Sequence, residues 1–262
     1  MKRISKLLSI GIILLSFAST TYASEINTKQ GLLSDQKQEI LSARKEALEL
    51  AKEGRFNEIE KMPILKKYRK LIEQNPTLLN DEFFTKTDVA NDKKVKEKLS
   101  EITVKNDETV IVEMEDSTFA VITMETKKND SQSAQTLSSN GSYGVQYTTT
   151  SSYSIWNFPF DTVMKLNTTF TTSQTGITIN STDASGTTAN FPDNISNIST
   201  SIIQATATSI GNKASSKGDY QYNLFGTNGV AISTRWYNAT TNISLDGFDL
   251  YYIYYTPSTT WK

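Results

Sequence analysis

The chain has 262 residues, a formal net charge of -1, and neither cysteine nor histidine. That length accommodates two modest domains, and the near-neutral balance gives no basic field for nucleic acid. Without His and Cys, the common zinc sites, disulfides, and Ser-His-Asp or Cys-His catalysis are excluded.

The first 23 residues read as a signal peptide. A basic "MKRISK" precedes the apolar run "LLSIGIILLSFAS", which is short for a bilayer span. "TTYA" places small residues before a cleavage point between Ala23 and Ser24. The expected product is secreted and extracellular, and the Lys, Asn, Ile and Thr usage is that of a Gram-positive exported chain.

Charge divides the remainder of the chain in two. Residues 24–130 hold 41 charged side chains, whereas residues 131–262 hold 11. Ser and Thr run the other way, 14 against 44. The spacing predicts a helix opening at Ser34 and ending at Gly54, with Ile40, Ala43, Ala47, Leu48 and Ala51 on one stripe. A second follows Pro63, with Ile64, Leu65, Tyr68, Leu71 and Ile72 on its apolar face. "NDKKVKEKLS" is a third candidate. The basic residues Lys66, Lys67, Arg69 and Lys70 read as a solvated helix face.

"ETVIVEME" and "STFAVITMET" then alternate with period two around Asp116 and predict a hairpin. Together these elements predict a charged α+β leader or propeptide-like domain over residues 24–126. Residues 127–143 have no periodicity and read as a linker, which is where proteases cut. From residue 144 to 262, short β-branched segments recur between Gly, Asn, Asp and Pro clusters. These predict an all-β domain, either an antiparallel sandwich or an elongated sheet. "GNKASSKGD" and "FGTNGV" read as hairpin turns, and "DASG" as a break between strands.

The stretch Thr168–Thr188, "TTFTTSQTGITINSTDASGTT", poses the functional question. Twelve of its 21 residues carry a hydroxyl and one carries a charge. Threonine favours extended backbone and is polar without the hydration cost of an ion. Such strands suit a solvated extracellular sheet, a pore wall facing an aqueous lumen, or a module binding wall polymer or glycan. Aromatic residues are the candidate contacts with a surface or membrane. These are Trp156, Phe158 and Phe160 in "IWNFPF", and Trp236 and Tyr237 in "RWYN". "FDLYYIYY" is apolar on both parities and reads as a core strand. Asp246 and Asp249 read as turn residues. No cofactor, metal or catalytic residue is assigned.

The signal peptide, the "ETVIVEMEDSTFAVITMET" hairpin and the uncharged sheet from Gly144 onward together resemble large secreted bacteriocins of Gram-positive bacteria, the geobacillin type. The resemblance implies a non-enzymatic antibacterial protein acting at the envelope of target bacteria, at membrane or wall polymer. It assigns no residue a role. A secreted surface- or glycan-binding module without toxicity is the alternative.

Overall fold

Twelve β-strands and three α-helices form the described part of the chain. The computed structural model describes residues 31–81, 83–84, 97, 102–129, 140–157, 159–188, 193–225 and 231–262. The signal cleavage point at Ala23 and Ser24, the third candidate helix, most of the linker and the "FGTNGV" turn lie outside the described residues.

Helix α1 (Ser34–Lys52) buries Ile40, Ala43, Ala47, Leu48 and Ala51, the stripe expected from their spacing, together with Arg44. Ser34 lies inside the helix and Leu33 precedes it, its N–H donating to Gln36 Oε1 at 2.9 Å. The helix closes at Gly54, whose φ of 74° suits a residue without Cβ. After the short α2 (Phe56–Ile59), Pro63 opens α3 (Pro63–Gln74), which buries Leu65, Tyr68 and Ile72. The basic face of α3 has partners within the chain. Lys67 pairs with Glu39 at 2.6 Å. Arg69 donates to the Pro159 carbonyl at 2.8 Å and to Asp161 at 3.0 Å.

The strands are β1 (Thr103–Lys105), β2 (Thr109–Glu113), β3 (Phe119–Lys128), β4 (Asn140–Ser142), β5 (Gln146–Asn157), β6 (Phe160–Ser173), β7 (Gly176–Thr188), β8 (Asn194–Gln204), β9 (Thr206–Ala207), β10 (Lys213–Phe225), β11 (Ala231–Phe248) and β12 (Tyr252–Trp261). They form two antiparallel six-stranded sheets. One runs β1-β12-β11-β10-β8, with β4 also on β12; the other runs β2-β3-β5-β6-β7-β9.

The expected hairpin is present, turning through Asp116 and Ser117 at positive φ. Its second strand does not end an N-terminal unit. β3 pairs with β5 over ten residues, from Phe119↔Trp156 to Lys128↔Tyr147, and β1 pairs with β12. Strands of the charged region are thus woven into both sheets, and Gly31–Lys262 is one compact unit. The step in charge near residue 130 is a change of surface chemistry within it. The helices share an apolar cluster with Phe119 and Val121 of β3, with Trp156 packed against it.

Of two expected turns, one is strand and the other turns only at Gly211, whose φ is 85°, and Asn212. "GNKASSKGD" enters β10, where Ser215 to Gly218 pair with both β8 and β11. Gly218 is there for close packing: a Cβ would meet Leu166 Cδ1 at 3.0 Å. "DASG" lies within β7, and a Cβ at Gly186 would meet Ile195 Cγ2 at 2.7 Å. In both cases glycine makes room for an aliphatic side chain from the other sheet.

Two further core clusters each draw on both sheets. One includes Tyr153, Met164 and Leu166 with Tyr220, Tyr237 and Trp261; the other includes Tyr147, Phe170 and Ile177 with Ile243, Ile253 and Tyr255. Hydroxyls lie among them. Thr126 meets Thr149 at 2.9 Å, and Thr241 meets Thr259 at 2.9 Å. Between the sheets, Thr168 meets Ser216 at 2.6 Å, the Trp261 indole donates to Ser151 at 2.9 Å, and Tyr220 donates to the Lys165 carbonyl at 2.6 Å. Eleven Ser and Thr side chains among the described residues are thus interior, and pairing of the kind just described removes the cost of burying a lone polar group.

Candidate functional site

The sequence around the β11–β12 connection, "LDGFDLYYIYY", supplies two carboxylates and a run of rings. The two carboxylates are engaged separately. Asp246 accepts from Thr256 Oγ1 at 2.7 Å. Asp249 Oδ1 accepts the N–H groups of Tyr251 and Tyr252, both at 2.7 Å, and Oδ2 accepts the Tyr254 hydroxyl at 2.7 Å. The aspartate thereby folds the turn around its own side chain. The Tyr251 N–H, then the Tyr254 hydroxyl and the Tyr252 N–H, hold the Asp249 carboxyl below its ordinary pKa. Donation to that carboxylate raises the Tyr254 phenol in turn.

A second clamp comes from the β4–β5 connection. Tyr143 donates its hydroxyl to the Asp249 carbonyl at 2.6 Å and lies 3.0 Å from the Tyr252 carbonyl. The fixed turn presents Leu250 at 83% exposure and Tyr251 at 71%. Tyr252 and Tyr254, on the outer parity of β12, are also exposed, while Ile253 and Tyr255 are buried. The expectation that "FDLYYIYY" is core throughout is corrected. β12 is paired on both edges here, by β4 and β11, yet one of its faces is open to water.

Other connections gather at this end. The Gly144 N–H donates to the Thr172 carbonyl, beside the β6–β7 turn. The Ile179 N–H donates to the Ala205 carbonyl, and the Gly211 N–H to the Leu245 carbonyl. Ile202, Ile203 and Ile210 are exposed on the β8–β10 connection and the strand leading into it. Five of the nine exposed large hydrophobic side chains among the described residues lie here, Ile210, Leu250, Tyr251, Tyr252 and Tyr254, whereas Ile202 lies opposite Ser216, level with Thr241 of β11 and nearer in register to Trp236 than to Phe248.

The residues singled out from sequence fall elsewhere. Trp156 is half-buried beside the helices, stacked on Phe119 at 6.0 Å and 12°. Phe160 opens β6, and Phe158 lies outside the described residues. Trp236 is 56% exposed, but Tyr237, on the opposite parity of β11, is 2% exposed with its ring 5.6 Å from Tyr153. Tyr237 is therefore a core residue and leaves the contact set. Phe248 lies twelve positions after Trp236 along β11, roughly 40 Å of strand, so Trp236 is remote from the aromatic turn. Periodicity does not reveal the turn, because rings on both parities look like core. The signal that marks it is Asp249, a turn-forming side chain two residues after Gly247.

In comparisons with known proteins, the chain matches no family model, no curated protein and no solved structure.

Proposed function

We propose that this is a secreted, non-enzymatic antibacterial protein that acts at the envelope of target bacteria by permeabilising the membrane. Its two antiparallel sheets are read as a β-sandwich closed over the shared aromatic and hydroxyl clusters. The observation that carries the reading is the interior itself. Strands such as β6 bury Thr162, Thr168 and Thr172 beside Met164, Leu166 and Phe170. The intervening positions Lys165, Asn167, Thr169 and Thr171 are polar, so a β6 strand that left the soluble fold would turn its Met164, Leu166 and Phe170 face to lipid, with its alcohols tolerated there, and this polar face to an aqueous path. β6 and β7, at 14 and 13 residues, exceed the roughly 9–11 that a membrane strand needs.

Purified secreted protein should kill related Gram-positive bacteria and release dye from liposomes. Retention on cell-wall material with neither killing nor leakage would replace this reading with that of a binding module. Hydrolysis of peptidoglycan would replace it with an enzyme.

A further inference from the structure

We propose that the end carrying the aromatic turn is a lipid-contacting surface, which partitions into the interfacial layer of a phospholipid bilayer with Leu250 and Tyr251 leading. This role deepens the proposed membrane activity and rests on it for its biological setting. Three observations carry it.

The first is distribution. Five of the nine exposed large hydrophobic side chains among the described residues, Ile210, Leu250, Tyr251, Tyr252 and Tyr254, gather at this one end, where the turns after β4, β6, β8 and β11 come together. Scattered surface hydrophobes need no explanation, but a gathered set does.

The second is charge. Residues 140–160, 166–182, 194–212 and 250–261, which include these turns, contain no Asp, Glu, Lys or Arg. The ionisable side chains beside these turns are Lys213, Asp246 and Asp249 in sequence and, through the register of β3 on β5, Lys127 and Lys128 opposite Thr148 and Tyr147, with Lys127 paired to Glu125 at 2.8 Å. Both aspartates already accept hydrogen bonds from their own segment, so contact with lipid would strip water from few free ions. This end therefore enters an interface at low desolvation cost.

The third is side-chain chemistry. Tyrosine combines an apolar ring with a polar tip, the combination enriched at bilayer interfaces. The residue standing furthest out is aliphatic. Leu250 has no flat face for a sugar, and both oxygens of Asp249, the carboxylate that would orient one, are occupied. Lipid fits this surface better than glycan. Because the contact is not ionic, its strength depends little on salt or on anionic lipid.

The absence of native cysteine makes the test clean. Leu250→Cys and, at the far end of β11, Trp236→Cys are each labelled with an environment-sensitive fluorophore in the secreted full-length form. Each is mixed with phosphatidylcholine vesicles, with and without phosphatidylglycerol, at low and high salt. A blue-shifted, brighter emission at position 250, quenched by nitroxide-bearing lipids and absent at 236, is expected in every mixture. In unlabelled protein, Leu250→Asp should weaken vesicle flotation on the order of tenfold with an unchanged melting temperature. A signal at 236 in place of 250, or a signal at 250 with wall polysaccharide but not with vesicles, overturns the inference. Killing that survives Leu250→Asp undiminished also overturns it, while leaving the antibacterial reading intact. Lipid contact through 250 without killing supports the inference and removes the antibacterial reading.

Discussion

Thr168 on β6 and Ser216 on β10 bring their hydroxyl oxygens to 2.6 Å, each fully buried and each from a different sheet. Two alcohols meeting in the core satisfy each other. Neither is easily replaced alone, since the survivor is left buried without its partner. Thr168→Val should therefore destabilise the protein by about 1–3 kcal/mol. Thr168→Val combined with Ser216→Ala should recover part of that loss. A double-mutant cycle in urea checks this, and simple additivity of the two single changes would contradict it.

Trp261, the penultimate residue, seals the same interior. Its ring centroid lies 5.4 Å from that of Tyr153 and 5.5 Å from that of Tyr220, and its indole reaches Ser151. Trp261→Ala should cost about 3–5 kcal/mol, read as a lowered denaturation midpoint. Trp261→Phe should cost less, because it keeps most of the apolar volume and loses chiefly the hydrogen bond.

Two buried tyrosines should respond oppositely to loss of the hydroxyl. The Tyr220 hydroxyl donates to the Lys165 carbonyl, whereas the Tyr255 hydroxyl is buried with no hydrogen-bond partner among the described residues. Burial raises the pKa of both phenols. Tyr220→Phe should lower stability by about 1 kcal/mol, and Tyr255→Phe should leave it unchanged or raise it by a similar amount. Thermal melts of the two variants, compared directly, decide the point.

Asp249 organises the aromatic turn only while ionised. Its folded pKa lies below the ordinary value, which is about 3.9 for an aspartate. Its contribution is therefore complete above that value and lost as pH falls through the lower, folded midpoint. A carbon-detected NMR titration should place the Asp249 midpoint below those of exposed aspartates. Asp249→Asn should loosen the turn at neutral pH, seen as faster hydrogen exchange at the Tyr251 and Tyr252 amides.

The helices are legible in the sequence because their signal is local. Ile40 to Ala51 and Leu65, Tyr68 and Ile72 repeat with the helical period, and packing needs only that stripe. Strand locations are legible from β-branched alternation. Pairing is not, because the ladder joining Phe119–Lys128 to β5 spans a stretch that reads as linker. Gly186 of "DASG" and Gly218 of "GNKASSKGD" mislead for a related reason. Their role is close approach by Ile195 and Leu166, which are distant in sequence. The candidate site is legible only as an excess of rings. Which rings face water depends on parity within β11 and β12, and that parity buries Tyr237 while exposing Tyr252 and Tyr254.

The most direct measurement is entry of a membrane-impermeant dye into intact Gram-positive cells exposed to the purified protein. Membrane permeabilisation predicts dose-dependent entry that precedes loss of viability and is reduced by Leu250→Asp. Cells that bind the protein yet go on excluding the dye as they die, or that survive with the protein bound, would contradict it.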